Sequence, residues 1–192
     1  SKAKSLLVRI LNHQSNEGWF LEYQGADPGY QTLCLYYLSD VQAKRPDWNL
    51  LKPLADSISF LSHFAHPDGS FAGLYGSRCT RFYFPGGIVC LSASIPQAKS
   101  LSSFMEKSIK GKQTVTLSAM DEPNLIPMFN SYVYAAEISE TFDLFSQHMD
   151  DISHLALPAF SSVFQRFFED AGIYIERGID HYSIISIHKG GS

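Results

Sequence analysis

Along most of the chain, apolar side chains recur at three- and four-residue intervals, the period of a helix with one buried face. Leu6, Leu7, Ile10 and Leu11 set this pattern over residues 2–13. It is clearest at Tyr30, Leu33, Cys34, Tyr37, Leu38 and Val41. Asp27 stands where an N-cap is expected, and Pro28 at the first helical position, which needs no N–H donor. Pro46 ends this helix. Asn49 is the expected cap of the next one, which carries Leu51, Leu54, Ala55, Ile58 and Leu61 on one face. That helix stops near His66-Pro67, because a residue before proline disfavours helical backbone. Two helices joined by so short a turn predict an α/α-hairpin. Further helices are expected over 86–94, over 96–110 between Pro96 and Gly111, and over 128–139 behind Pro123 and Pro127. Segments 141–150 and 157–166 show no decisive period.

The period changes toward the C-terminus. Residues 171–178 and 181–188 are rich in β-branched and aromatic side chains, with Gly178 near a turn. Two strands alone are marginally stable. They either join strands that the pattern does not reveal or open a second domain. The reading is a helical domain over 1–160 and a β segment over 161–192.

The loops between helices repeat. Glu17-Gly18-Trp19-Phe20 aligns with Asp68-Gly69-Ser70-Phe71 at an offset of 51 residues. Tyr23-Gln24-Gly25 answers to Tyr75-Gly76, and Pro28-Gly29-Tyr30 to Pro85-Gly86-Gly87. A period near 50 residues fits one helical hairpin per repeat. The predicted class is therefore mainly α, built of α/α-hairpin repeats, with a short C-terminal β segment.

Composition narrows the function classes. Among 192 residues, 15 are basic and 19 acidic, and no run of Lys and Arg forms a nucleic-acid footprint. No apolar run is long enough to span a membrane. Neither a nucleic acid nor a membrane is expected as a partner. No signal peptide opens the chain, but residues 1–14 read as the interior of a fold and Lys189-Gly190-Gly191-Ser192 as an interrupted end. A longer parent protein is expected, and its location is left open. Cys34, Cys79 and Cys90 have neither disulfide nor zinc spacing, and Cys34 lies on an apolar helix face as a small hydrophobe. No metal or cofactor motif is present.

Aromatic residues make up 14% of the chain, enough to fill a core and also line a groove. The two loops hold Trp19, Glu22, Tyr23, Asp27, Tyr30, Asp68, Tyr75, Arg78, Arg81 and Tyr83. Several have plain structural roles. Gly18 and Gly69 suit tight turns, Asp27 a cap, and Asp68 a Pro-Asp-Gly turn. Trp19, Phe20 and Phe71 suit plugs at the hairpin ends. Glu22 suits an ion pair with Arg78 or Arg81, and His63 and His66 suit a helix end. Tyr75, Arg78 and Tyr83 are the candidate catalytic residues, since a Gly-Ser-Arg turn needs no arginine for its shape. Trp19, Glu22, Tyr23, Tyr30, Asp68 and Arg81 are the candidate substrate contacts. Arginine pairs bidentately with carboxylates, and aromatic rings cover sugar faces, so an anionic sugar is the expected ligand. β-Elimination on a uronic acid would use Arg78 or Arg81 to neutralise the carboxylate and Tyr75 or Tyr83 to carry the proton. Hydrolysis would instead use Glu22 with Asp27 or Asp68 as paired carboxyl groups.

Gly18-Trp19-Phe20-Leu21-Glu22-Tyr23, Gly25-Ala26-Asp27-Pro28-Gly29-Tyr30, His66-Pro67-Asp68-Gly69-Ser70-Phe71 and Tyr75-Gly76-Ser77-Arg78 resemble the toroid portion of heparinase II/III-like proteins. The tail Ala171-Gly172-Ile173-Tyr174-Ile175-Glu176-Arg177 is similar to the start of their β domain. These are bacterial proteins with an incomplete α/α toroid followed by a β-sandwich. The resemblance implies polysaccharide-lyase ancestry and an acidic polysaccharide or oligosaccharide as ligand. It further implies a Tyr paired with His or Asn in active members, and no such partner is legible here. The alternative is a non-catalytic carbohydrate-binding or scaffold protein. Toroids also serve terpenoid cyclases and prenyltransferases, but their Asp-rich motifs are missing.

Overall fold

The computed structural model describes residues 2–142 and 157–187. Within them lie six α-helices and five short strands. The helices are α1 (Lys2–Leu11), α2 (Pro28–Lys44), α3 (Leu51–Leu61), α4 (Pro85–Leu91), α5 (Pro96–Lys110) and α6 (Glu122–Phe142). β1 (Leu21–Glu22) and β2 (Gly25–Ala26) pair as a small antiparallel ribbon before α2. β3 (Phe164–Phe168), β4 (Ile173–Arg177) and β5 (Tyr182–Ser186) form a three-stranded antiparallel sheet in chain order. The chain is mainly helical, with a small C-terminal sheet.

Helix starts follow the local chemistry. Asp27 has extended backbone and accepts from the Tyr30 N–H, with Pro28 behind it, so the expected cap is present. Asn49 does not cap α3. It sits in the left-handed region at φ 55°, closing a short turn at Pro46–Trp48, and Leu50 precedes the helix. Asn tolerates that conformation better than most residues, so here the residue serves the turn. Gly111 ends α5 as expected. α4 stops at Leu91, earlier than the pattern predicts, and α6 begins at Glu122, nearly two turns earlier than predicted, and runs through Pro127. Near a helix start a proline forfeits only one backbone bond, which the rest of a 21-residue helix outweighs. Segment 143–150 lies outside the described residues.

α4 is the innermost element. All of its residues except Cys90 are buried, and it packs against α2, α5 and α6. Glycine makes this close approach possible. A Cβ on Gly87 would lie 2.5 Å from the α2 backbone at Leu35 and Tyr36. The core joins Leu35, Leu54, Ile58, Phe60, Phe64, Ile88 and Leu101 from the helices to Phe168, Ile173 and Ile175 from the sheet. Phe168 packs edge-on to Phe60 and His63, and the Tyr182 hydroxyl donates to the His63 carbonyl at 2.7 Å. β3 is the strand that periodicity does not reveal. Gln165, Arg166 and Phe167 are exposed, and only Phe168 is fully buried, so no alternation marks it.

The aligned loops share one backbone. Gln14 bridges Phe20, and Ala65 bridges Phe71, both antiparallel. Ser15 donates its N–H to Trp19, as His66 does to Ser70. Gly18 donates to Ser15, as Gly69 does to His66, and both glycines have positive φ (96° and 87°). Leu21 donates to His13, as Ala72 does to Phe64. Each partner in the second set lies 51 residues after its counterpart in the first.

Candidate functional site

The first loop is sealed. Its Gly18 carbonyl accepts from Gln14, Gln31 and Ser57 side chains at 3.2, 3.2 and 2.7 Å. Gln31 and Ser57 are buried, so these bonds replace water that cannot reach the turn. Trp19 is 7% exposed and donates its indole N–H to Glu17 at 3.0 Å. The same carboxylate accepts from the Asp170 and Ala171 backbone N–H groups at 3.2 and 3.1 Å, fastening the β3–β4 turn. Trp19 is thus a plug beneath the surface.

Asp27 is a structural carboxylate. It is buried and accepts from the Tyr30 N–H and the Arg78 N–H, both at 2.9 Å, and from the Thr80 hydroxyl. With Ser77 donating its N–H to Ala26 and its hydroxyl to Glu22, this holds segment 76–80 onto the start of α2. The Arg78 side chain is stacked between Tyr23 and Tyr30, at 4.7 and 4.3 Å from the ring centroids. Its guanidinium meets Glu22 at 3.3 Å. Four predicted site residues, Glu22, Tyr23, Tyr30 and Arg78, therefore form one stacked surface cluster, with Tyr23 and Arg78 exposed and Glu22 and Tyr30 half-buried, in which the cation is already engaged.

The second loop opens onto a cavity of about 720 Å³ bordered by segment 112–119. Here Ser70 donates its hydroxyl and its N–H to the Asp68 carboxylate, at 2.7 and 2.9 Å. The Ser70 oxygen lies 2.7 Å from His66 Nδ1, and His66 Nε2 lies 2.9 Å from the Tyr75 hydroxyl. Since the Ser70 proton is given to Asp68, the Ser70 oxygen accepts from Nδ1–H. That assignment leaves Nε2 as a lone pair receiving the Tyr75 proton. Asp68, Ser70, His66 and Tyr75 thus form a continuous chain of hydrogen bonds along the cavity wall. The phenol is held flat by Phe64, with centroids 5.5 Å apart.

The environment sets the charges. Burial lowers the proton affinity of His66 below the ordinary imidazole value, opposed by the weaker pull of Asp68. The Ser70 hydroxyl holds Asp68 below the usual carboxylate range. Burial, with Tyr182 and Asp27 adding smaller effects, pushes Tyr75 well above the ordinary phenol value. The resting state is a neutral imidazole beside a neutral phenol, backed by an ionised carboxylate. Arg81 and Lys112 line the same cavity, and both are exposed. No ion pair engages either among the described residues. The Thr114 hydroxyl, on the same wall, is buried without a partner among the described residues.

The predicted catalytic trio is therefore distributed over three places. Tyr75 faces the polar cavity, Arg78 belongs to the stacked cluster, and Tyr83 is 1% exposed and lines a separate apolar cavity. Of the other predicted contacts, Asp68 and Arg81 share the cavity of Tyr75. His66, Ser70, Lys112 and Thr114 were not among the predicted site residues. Overlaying the two turns carries the missing signal for two of them: His66 and Ser70 stand where the first loop has Ser15 and Trp19. No group of three or more metal-ligating side chains occurs among the described residues. Compared with family models, curated proteins and solved structures, the chain matches none.

Proposed function

We propose that this chain belongs to an incomplete α/α toroid related to heparinase II/III-like proteins and cleaves acidic, uronate-containing polysaccharide by β-elimination. The observation that carries the reading is the His66–Tyr75 hydrogen bond of 2.9 Å at the wall of a polar cavity bearing two cations, Arg81 and Lys112, with no ion pair among the described residues. The twice-used turn, followed each time by a helix that begins at a proline, supports the hairpin-repeat architecture.

Elimination needs a carboxylate neutraliser, a base for the proton at C5 and an acid for the leaving oxygen O4. Arg81 and Lys112 supply the positive charge. Tyr75 passes its proton to His66 Nε2 as its oxygen takes the C5 proton. The C5–H electron pair becomes the C4–C5 double bond, and the C4–O4 bond breaks. O4 then receives the proton from Tyr75, and His66 returns the stored proton to the phenolate. Every proton is accounted for and both side chains end as they began. Asp68 and Ser70 hold the imidazole in the required tautomer.

The test incubates the full-length protein with a panel of uronate polymers and follows the ultraviolet absorbance of an unsaturated uronate. Product from at least one polymer, lost in Tyr75→Phe, is the expected result. Absence of product across the panel removes the lyase reading. Saccharide binding without product would favour a non-catalytic binding protein, for which the exposed Tyr23 ring beside Arg78 is the natural contact.

A further inference from the structure

α6 is apolar on two sides. Met128, Ser131 and Ala135 are buried in the core, and helical spacing puts Ile126, Phe129 and Val133 on the opposite surface. All three are exposed, Ile126 by 69% and Phe129 by 54%. A surface helix carries polar residues on its outer side, and one that is apolar all round is a helix covered on both sides. The charge on α6 is of one sign. It holds Glu122, Glu137 and Glu140 and no Lys or Arg.

α1 has the reverse character. Ten residues long, it buries Leu7 alone. A helix that short is marginal in water without packing to hold it. Leu6 and Ile10, one turn apart, are exposed, as is Leu21 of β1. Ile10 and Leu21 border a hollow of about 180 Å³ that also reaches Phe20 and Cys34. The charged residues of α1 are Lys2, Lys4 and Arg9, with no Asp or Glu.

The two helices lie on different flanks of α2. Ile10 and His13 share the hollow with Cys34 of α2, whereas Tyr134 of α6 packs on Tyr36, with ring centroids 5.5 Å apart. Cys34 and Tyr36 are two positions apart, about 200° around a helix. α1 and α6 of one chain are held apart in this way, and their outer faces meet only between chains.

We infer that the outer face of α6 is a docking surface for α1 of a second copy of this chain, with Phe129 seated against Ile10 and Leu21 and the carboxylates of α6 facing the cations of α1. The contact joins one apolar stripe to another, and a helix with only acidic charges to a helix with only basic ones. It takes from water the side of α1 that a single chain leaves wet. The polar cavity of His66 and Tyr75 has no part in it, and the inference stands whether or not that cavity is catalytic.

The test is sedimentation equilibrium of the full chain over a wide range of concentration. The weight-average mass is expected to rise above the 21.5 kDa of one chain as concentration increases. Phe129→Glu puts an unpaired carboxylate into the contact and should weaken association about a hundredfold or more. Ile179→Glu replaces an exposed apolar side chain in the β4–β5 turn and should leave the mass as in the wild type. Lys2→Glu with Arg9→Glu sets like charges against each other, as does Glu137→Lys with Glu140→Lys, and each pair should weaken association about tenfold or more. All four substitutions in one chain restore opposite charges across the contact and should restore association. Circular dichroism checks that each variant is folded. A mass of one chain at every concentration, association that survives Phe129→Glu, an equal loss in Ile179→Glu, or reversed charges that fail to rescue each other would each overturn the inference.

Discussion

The turn that follows α1 and the turn that follows α3 have the same backbone and opposite uses. Both place a carboxylate before a left-handed glycine, Glu17 in one and Asp68 in the other. Two residues on, the first has Trp19 and the second Ser70. Glu17 accepts the indole N–H and two backbone N–H groups of the sheet, so its turn is locked into the core. Asp68 accepts from Ser70, whose oxygen then meets His66, so its turn becomes the first link of a hydrogen-bond chain facing a cavity. Where the first turn has Ser15, which accepts the Glu17 N–H, the second has His66. One turn backbone thus serves two surroundings, and three side-chain positions decide between fastening a core and lining a cavity.

The difference can be broken most strongly at the chemistry. Tyr75→Phe and His66→Ala should each lower turnover of a uronate polymer by about a hundredfold or more, the scale of a lost general acid–base group. Circular dichroism of the variants should remain that of the folded chain. If turnover is unchanged, the hydrogen-bond chain has no part in the reaction.

The glycines give the next largest effect, and the two turns should differ. A Cβ on Gly18 would lie 2.2 Å from the Asp56 backbone oxygen, whereas one on Gly69 meets only the Gln113 side chain. Both positions carry the cost of a left-handed residue, roughly 1–2 kcal/mol. Gly18→Ala adds an overpacking penalty of about 1–3 kcal/mol against backbone atoms, while at Gly69 the Oε1 and Cδ of Gln113 can turn aside and only its Cβ, at 2.9 Å, forces a small shift. Urea denaturation should therefore rank Gly18→Ala well below Gly69→Ala. Equal losses would mean that the turns are equally buried.

Removing the carboxylates sharpens the contrast further. Glu17→Ala strands the Trp19 indole and two N–H groups and should cost about 1–3 kcal/mol. Asp68→Ala, at an exposed site, should cost less stability but frees the tautomer of His66. Its mark is lower turnover, not a lower Tm.

The smallest effect is in acid. His63 and His66 are both depressed, chiefly by burial. As pH falls, the unfolded chain takes up these protons first, near the ordinary imidazole value of about 6.5, and the folded chain only at lower pH. Stability is fully present above that value and is lost as pH falls through it toward the folded values. Asp68, held low by Ser70, adds to the loss at still lower pH. Thermal melts between neutral and mildly acidic pH should show this fall, reduced in His66→Ala. A Tm independent of pH would contradict the burial of these rings.

Much of this arrangement is legible in the chain itself. The apolar period of α2, the Asp27-Pro28 start and the paired Gly-containing loops are local signals, and local chemistry suffices to produce them. The exposed sequence of β3 and the left-handed Asn49 are not, because their conformations are set by partners distant in sequence or by a turn. The candidate site divides the same way. Asp68 and Ser70 meet within one turn, but Tyr75 reaches His66 only because segment 76–80 is pinned by Asp27, a contact made across 51 residues. The sequence leaves either Arg78 or Arg81 as the partner of Glu22; in space Arg78 is that partner, stacked between Tyr23 and Tyr30.

The pH dependence of uronate turnover tests the central claim most directly. If Tyr75 delivers its proton to a neutral His66, turnover rises with pH through a midpoint below the ordinary imidazole value, and His66→Gln removes that step. Absence of an unsaturated product at every pH, or a profile unchanged in His66→Gln, would contradict it.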